Sequence, residues 1–356
     1  MPRPPLYTDA MQALERKISS GEFMLRDLPG ERKLAEELGV SYMTARKAVA
    51  GLLEKDVLAR QPNGSLVVHP SQGVINASCQ VVLLIPAYPS VHLLHCRSHI
   101  ASAAALRGAQ FRALEYVHWD DAVISEALDS DGGVVIVPST EPIPRRRLRA
   151  LQAAASKVVM FDADMSDLGI PSIRLFTGDH IALLFEHLRD MGHIRIDCLN
   201  AQGHNSEIDR RVAHWRSWLR ANGSTGELHD NPAPPYSDPT ALAHDLTLDV
   251  LDSPDRPTAI VCTTQPAAIG AIRACHDRGV HVGHDIAIAA INNEPTGRFF
   301  TPSITGLNMP DVQAQLDICF EWFASSRKTW NGPMRQSPGD SPLFIGESTQ
   351  PKPASA

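Results

Sequence analysis

The residues with the clearest chemistry lie between Leu28 and Lys55, in LPGERKLAEELGVSYMTARKAVAGLLEK. Ser41, Tyr42, Thr44, Arg46 and Lys47 gather hydroxyls and cations at the start of one segment, and no acidic residue occurs from Ser41 to Leu53. Such groups at the N-terminal end of a short amphipathic helix suit a reader of the DNA major groove, where they can donate to base edges and phosphates. The spacing supplies that helix. Tyr42, Ala45, Ala48, Val49, Leu52 and Leu53 recur at a period near 3.6 as an apolar face. Met43, Lys47 and Ala50 fall opposite, with Thr44 and Arg46 on the flanks. Ser41 is placed to cap the first turn. Just upstream, Glu31 to Leu38 carries Leu34, Ala35 and Leu38 on one side, and Gly39 suits the left-handed residue that ends a helix.

Further elements must hold this pair in place. Tyr7 to Ser20 predicts a first helix with Met11, Leu14 and Ile18 as its core stripe. After Lys55, two β-prone pieces, Val57–Arg60 and Ser65–Val68, flank Pro62-Asn63-Gly64, and Asn-Gly is a strong hairpin signal. Three helices followed by a hairpin make a winged helix-turn-helix of α+β class.

LPGERKLAEELGVSYMTARKAVAGL resembles, over some 25 residues, the DNA-binding domain of the gluconate-repressor (GntR) family, whose pattern runs LPSER-x-LA-x-x-LGVSR-x-TVR-x-AL before a glycine-rich wing. The resemblance implies that Arg32, Ser41, Thr44 and Arg46 contact DNA, with Asn63-Gly64 as the wing tip. Tyr42 stands where the family usually has arginine, and Pro62-Asn63 stand where glycine is usual. Arg46 and Thr44 are expected at base edges or nearby phosphates. Arg32, Lys47 and the wing are expected mainly at phosphate, which positions the domain without reading sequence.

His69 to Gln80 is polar and reads as a linker. Beyond it, strand-like runs at Val81–Ile85, Val134–Val137, Val158–Asp162, Ile194–Leu199, Ala259–Thr263 and Ile286–Ile291 alternate with helix-like segments such as Ile181–Met191, Val212–Ala221, Ala267–Arg278 and Val312–Phe323. Continuous apolar strands between amphipathic helices imply parallel sheets covered on both faces, here in two α/β lobes with a ligand cleft at the strands' C-terminal ends. The boundaries expected are a winged helix over 1–69, a linker over 70–80, a two-lobed effector and dimerisation domain over 81–350, and a tail over 351–356.

This second part resembles the effector domain of the lactose-repressor (LacI) family, related to periplasmic sugar-binding proteins. The likeness is carried by His187-Leu188, Met191-Gly192-His193, Ile196, Pro257-Thr258-Ala259-Ile260, Ala268-Ile269-Gly270-Ala271, Arg278-Gly279-Val280 and Phe300-Thr301-Pro302-Ser303-Ile304-Thr305. The two modules together are similar in arrangement to the arabinose repressor. For the cleft the resemblance points to Tyr88, Asp162, Phe176, Arg210 or Arg211, Thr264-Gln265 and Asn292-Asn293. An aromatic ring, a carboxylate, an arginine and amides hold a sugar by stacking and bidentate hydrogen bonds. Three positions acidic in the family are neutral here, at Leu175-Phe176-Thr177, Thr264-Gln265 and Asn292-Asn293. Either the ligand differs from a simple sugar, for instance by carrying negative charge, or the cleft has lost its ligand and the chain acts through a protein partner or constitutively.

The chain has 356 residues and a formal net charge of −7. Residues 1–70 hold ten Lys/Arg against nine Asp/Glu, and the remainder 23 against 31, so only the N-terminal module is not clearly repelled by polyphosphate. Six scattered cysteines without a CxxC pair imply reduced, mostly buried thiols in a cytoplasmic protein. Neither a signal peptide nor a membrane span is expected. Cys275-His276, His281 and His284 are poorly spaced for one tetrahedral metal site and read as structural or surface groups. Of Asp162-Ala163-Asp164, one carboxylate is expected at ligand and the other facing solvent, and Arg145-Arg146-Arg147 reads as a solvated run at a helix start. No nucleophile-base-orienter set occurs, so neither catalysis nor a cofactor is expected. The expected function is a homodimeric transcription regulator, most simply a repressor, whose binding of operator DNA is modulated by a small molecule such as a sugar or sugar derivative.

Overall fold

The computed structural model describes residues 6–19, 28–55, 57–60, 64–68, 79–325 and 329–350. The N-terminal module comprises α1 (Leu6–Ser19), α2 (Glu31–Leu38), α3 (Tyr42–Glu54), β1 (Leu58–Arg60) and β2 (Leu66–Val68). Gly39 ends α2 at φ +64, and Ser41 caps α3 by accepting from the Thr44 amide at 3.1 Å. The β1–β2 pairing is antiparallel, as the hairpin reading requires. Leu14, Leu34, Val49, Leu52, Leu58 and Leu66 close one small core, to which all three helices and both hairpin strands contribute. Tyr42 departs from its expected place on the apolar face. It is 41% exposed, because it sits in the first turn of α3, and its hydroxyl donates to Glu31 at 3.1 Å.

The larger module begins with β3 (Gln80–Pro86), α4 (Val91–Arg107), β4 (Gln110–Tyr116), α5 (Ala122–Asp129), β5 (Gly133–Ile136), α6 (Arg145–Ala153), β6 (Val158–Phe161) and β7 (Ser172–Ile173). It continues through α7 (Gly178–Asp190), β8 (Ile196–Asn200), α8 (Ser206–Asn222), β9 (Leu228–Asp230), α9 (Thr240–Asp252), β10 (Ala259–Cys262), α10 (Gln265–Asp277), β11 (Ala287–Asn293) and β12 (Thr305–Asn308). It closes with α11 (Gln313–Ala324), β13 (Arg335–Gln336) and β14 (Leu343–Phe344). The first lobe carries the sheet β13-β7-β6-β5-β3-β4 and the second the sheet β14-β12-β11-β10-β8-β9. Every pairing in both sheets is parallel except β12–β14.

The chain crosses between lobes three times, from β7 to α7, from β12 to α11 and from β13 to β14. Central strands such as Val134–Ile136 and Ala259–Cys262 are buried throughout, which is why they read as unbroken apolar runs rather than alternating ones. Alanine and glycine set the tightest helix contact. A Cβ at Gly270 of α10 would lie 2.3 Å from the Thr240 carbonyl oxygen of α9, so only glycine permits this approach.

Arg147 corrects the reading of the arginine run. It is buried and donates to the Trp119 carbonyl at 2.6 Å and to Ser125 Oγ at 3.1 Å, tying α6 to the loop after β4. All six cysteines are free and buried. Among the described residues no helix is long and apolar enough to cross a membrane.

Candidate DNA-reading face and interlobe cleft

On the N-terminal module, Arg32, Ser41, Tyr42, Arg46, Lys47 and Gly64 are exposed and Thr44 is half-buried. Arg32, Tyr42, Arg46, Arg60 and Gly64 line one shallow groove of about 670 Å³ between α2, α3 and the wing. Met43, Thr44, Arg46 and Lys47 border a second concavity with Tyr7, over whose ring the Lys47 ammonium sits at 4.5 Å. Glu31, the one carboxylate lining the groove, is held by Arg60 at 2.5 Å and by the Tyr42 hydroxyl. Arg32 and Arg46 have no protein partner among the described residues. Gly64 takes φ +82 and its carbonyl accepts from Arg60, which anchors the wing. Asn63, the other proposed wing-tip residue, and most of the linker fall outside the described residues.

The cleft candidates do converge at the strands' C-terminal ends. Tyr88 follows β3 and meets the Tyr236 ring edge-on at 6.2 Å. Asp162 follows β6 at φ +58, a left-handed conformation that aspartate tolerates better than most residues. Phe176 lies buried on the first crossover, with the Arg211 guanidinium 5.6 Å above its ring. Arg211 is buried and donates to the Thr263 carbonyl at 2.7 Å and to Asn292 Oδ1 at 3.4 Å. Gln265 donates to Asn293 Oδ1 at 2.8 Å. Thr264 Oγ1 is buried without a partner among the described residues. Arg210 spans the lobes, reaching Asp164 at 3.2 Å and Glu207 at 2.7 Å. Asp164 is therefore not the solvent-facing carboxylate the sequence suggested: its side chain is 3% exposed and two arginines hold it.

The neutral appearance of the second lobe's wall is also corrected. β11 continues through Asn292 and Asn293, and the next residue, Glu294, places a carboxylate only 2% exposed against the first lobe. Its Oε1 lies 3.1 Å from His92 Nδ1 and its Oε2 contacts His95 Nδ1. The far nitrogen of His92 lies 2.7 Å from Asp162 Oδ2. Burial alone would push the Glu294 pKa up, but the two histidines outweigh it and hold it down to about 2. Glu207 shifts the other way, raised by burial and by Asp162. The interlobe junction thus carries both charges, and sequence reasoning missed His92, His95 and Glu294. The available signal was the spacing H-x-x-H-C-x-x-H in VHLLHCRSH, which shares one helical face. Asp197, Glu227 and His229 also bring metal-capable atoms together, but Arg195 already donates to both Asp197 oxygens at 3.0 and 3.2 Å.

A model of the gntR family of bacterial regulatory proteins matches residues 6–68, and a periplasmic binding protein-like domain matches residues 185–313. The chain is a transcription regulator that joins a GntR-type winged helix-turn-helix to a two-lobed periplasmic-binding-protein-like module. The lactose operon repressor of Escherichia coli strain K12 is 25% identical over 288 residues, covering 76% of this chain and 78% of that repressor. Among solved structures, the Lac repressor dimer bound to operator and the anti-inducer ONPF has TM-score 0.61 at 18% identity, over 76% of this chain and 94% of that one. A LacI family transcriptional regulator from Arthrobacter sp. FB24 in complex with lactose has TM-score 0.62 at 19% identity, over 76% and 100%.

Proposed function

We propose that this regulator is a cytoplasmic homodimer that represses transcription by placing α3 of each protomer in the major groove of a palindromic operator. A small molecule in the interlobe cleft, a sugar or sugar derivative, changes that affinity. The observation that carries the DNA reading is the exposed start of α3, where Arg46 and neighbouring Arg32 have no protein partner among the described residues, beside a groove rimmed by the wing. In this reading Arg46 and Thr44 meet base edges, while Arg32, Ser41, Tyr42, Lys47 and the wing at Asn63-Gly64 hold phosphates. Tyr88, Asp162, Phe176, Arg210, Arg211, Thr264, Gln265 and Asn292 form the effector wall, and the buried Thr264 hydroxyl, without a partner among the described residues, supports a polar ligand there. The domain limits proposed are 1–69 and 81–350, joined by 70–80.

Fluorescence anisotropy on DNA from upstream of the neighbouring operon tests the reading. Arg46→Ala is expected to weaken binding by about 10-fold or more, the worth of one base contact of 1–3 kcal/mol. Equal binding by wild type and variant overturns the assignment. Thermal-shift screening against sugars tests the effector class in parallel.

A further inference from the structure

Met43, Lys47 and Ala50 form the outward face of α3, opposite its buried stripe, and Met43 is 66% exposed. An apolar side chain held in water at the head of a helix adds nothing to the module's own core. Its polar neighbours in that first turn are engaged. Tyr42 donates to Glu31 at 3.1 Å and is drawn toward α2, while the half-buried Thr44 shares a 2.8 Å hydrogen bond with the Ser41 hydroxyl. Met43 is thus the side chain of the first turn left to project outward. With Ala50 and the Tyr7 ring it lines a concavity of about 480 Å³, which Arg46 and Lys47 also border.

We propose that Met43 reads sequence, by packing against the C5-methyl group of a thymine in each operator half-site. That methyl is the apolar group the ordinary bases present in the major groove, where their other marks are hydrogen-bond donors and acceptors. A thioether chain with no proton to donate matches it and gains little from the polar edges of the other bases. The surroundings fit the same partner. No acidic residue occurs from Ser41 to Leu53, so Arg46 and Lys47 flank the cup with positive charge that the phosphates beside the groove complement. Helix spacing places the thymine. Met43 and Arg46 are three residues apart, which sets their Cβ atoms about 5–6 Å from each other, and the bases of one strand stack about every 3.4 Å. The thymine therefore lies within about two base pairs of the base that Arg46 contacts.

Such a contact rests on the reading that α3 enters the major groove, and the test separates the two. Full-length protein first selects its site from a random-sequence duplex library. The selected duplex is then remade with deoxyuridine in place of each thymine in turn, a change that removes only the methyl group. At one thymine per half-site, within two base pairs of the Arg46 contact, replacement should weaken binding about 4-fold, the 0.8 kcal/mol or so of one buried carbon, and replacement in both half-sites about 16-fold. Met43→Ala should bind the thymine duplex about 10-fold more weakly or worse, and should respond to the uridine replacement by less than about 2-fold. Met43→Leu, which keeps an apolar side chain, should retain the methyl dependence. Because Met43 is exposed, both variants should fold, with circular dichroism melts that match wild type. A merely structural role would weaken binding to both duplexes alike and leave the methyl dependence of Met43→Ala intact, which overturns the proposal. So does a wild type indifferent to every replacement, or a selected half-site with no thymine in the expected interval. Enrichment of a site without methyl dependence removes Met43 alone from the reading face, whereas failure to enrich any site removes the DNA reading with it.

Discussion

Asp197 is fully buried in β8 and accepts from Arg195, from the Glu227 amide and, at 2.8 Å, from His229. Burial raises its pKa, but these hydrogen bonds prevail and the folded value lies below the ordinary one. A carboxylate depressed in the folded state contributes stability above its unfolded pKa of about 3.9 and loses it as pH falls through the folded value. Thermal melts should therefore show the larger module losing stability below about pH 4. Asp197→Asn should cost about 1.5–3 kcal/mol at neutral pH, because it weakens the buried carboxylate's charge-assisted hydrogen bonds to Arg195, the Glu227 amide and His229, and should flatten that acid limb. An unchanged acid limb in the variant would assign the loss to other carboxylates. At this scale the sequence was least informative. Asp164 and Arg147 read as solvated charges, and both are buried because their partners, Arg210 and Trp119, arrive from distant segments.

Among the elements, α3 was the most legible, since capping and periodicity are local. Ser41, Gly39 and the stripe Ala45-Ala48-Val49-Leu52 took their expected places, while Tyr42 did not, because its neighbour in space is Glu31 of α2. Leu52 is fully buried between α1 and the wing strands. Leu52→Ala should destabilise the small module by about 2–5 kcal/mol, the transfer and cavity cost of a buried leucine. Calorimetry should show that loss as an earlier first transition, with the transition of the larger module unmoved. A single transition shifting as a whole would argue that the two modules unfold together. Element α4 was not foreseen. Its mean pattern is weakly amphipathic, with Leu94 and Leu106 exposed and three histidines on the inner side.

For the whole molecule, charged contacts that hold the lobes against each other across the cleft include His92 and His95 with Glu294, and Arg210 with Asp164. Switching such a closure from about 1:99 to 99:1 takes a roughly 10⁴-fold preference of a ligand for one form. The Arg210–Asp164 pair is partly exposed and contributes only part of the closed form's advantage. Arg210→Ala should shift the small-angle scattering of the effector module toward a larger radius of gyration, and a saturating ligand should reverse the shift. A profile identical to wild type would show that this pair has no share in closure.

The sequence by itself determined the class of the protein. A capped helix pair, a hairpin and a succession of apolar strands and amphipathic helices are encoded within short windows, where propensity and periodicity act. The tertiary structure decided what the cleft is. Its wall is made by residues separated by as many as 202 positions, such as His92 and Glu294, brought together by the three crossings between lobes. Whether a buried carboxylate faces a cation, a ligand or solvent depends on which strand ends meet, and local sequence carries no record of that meeting.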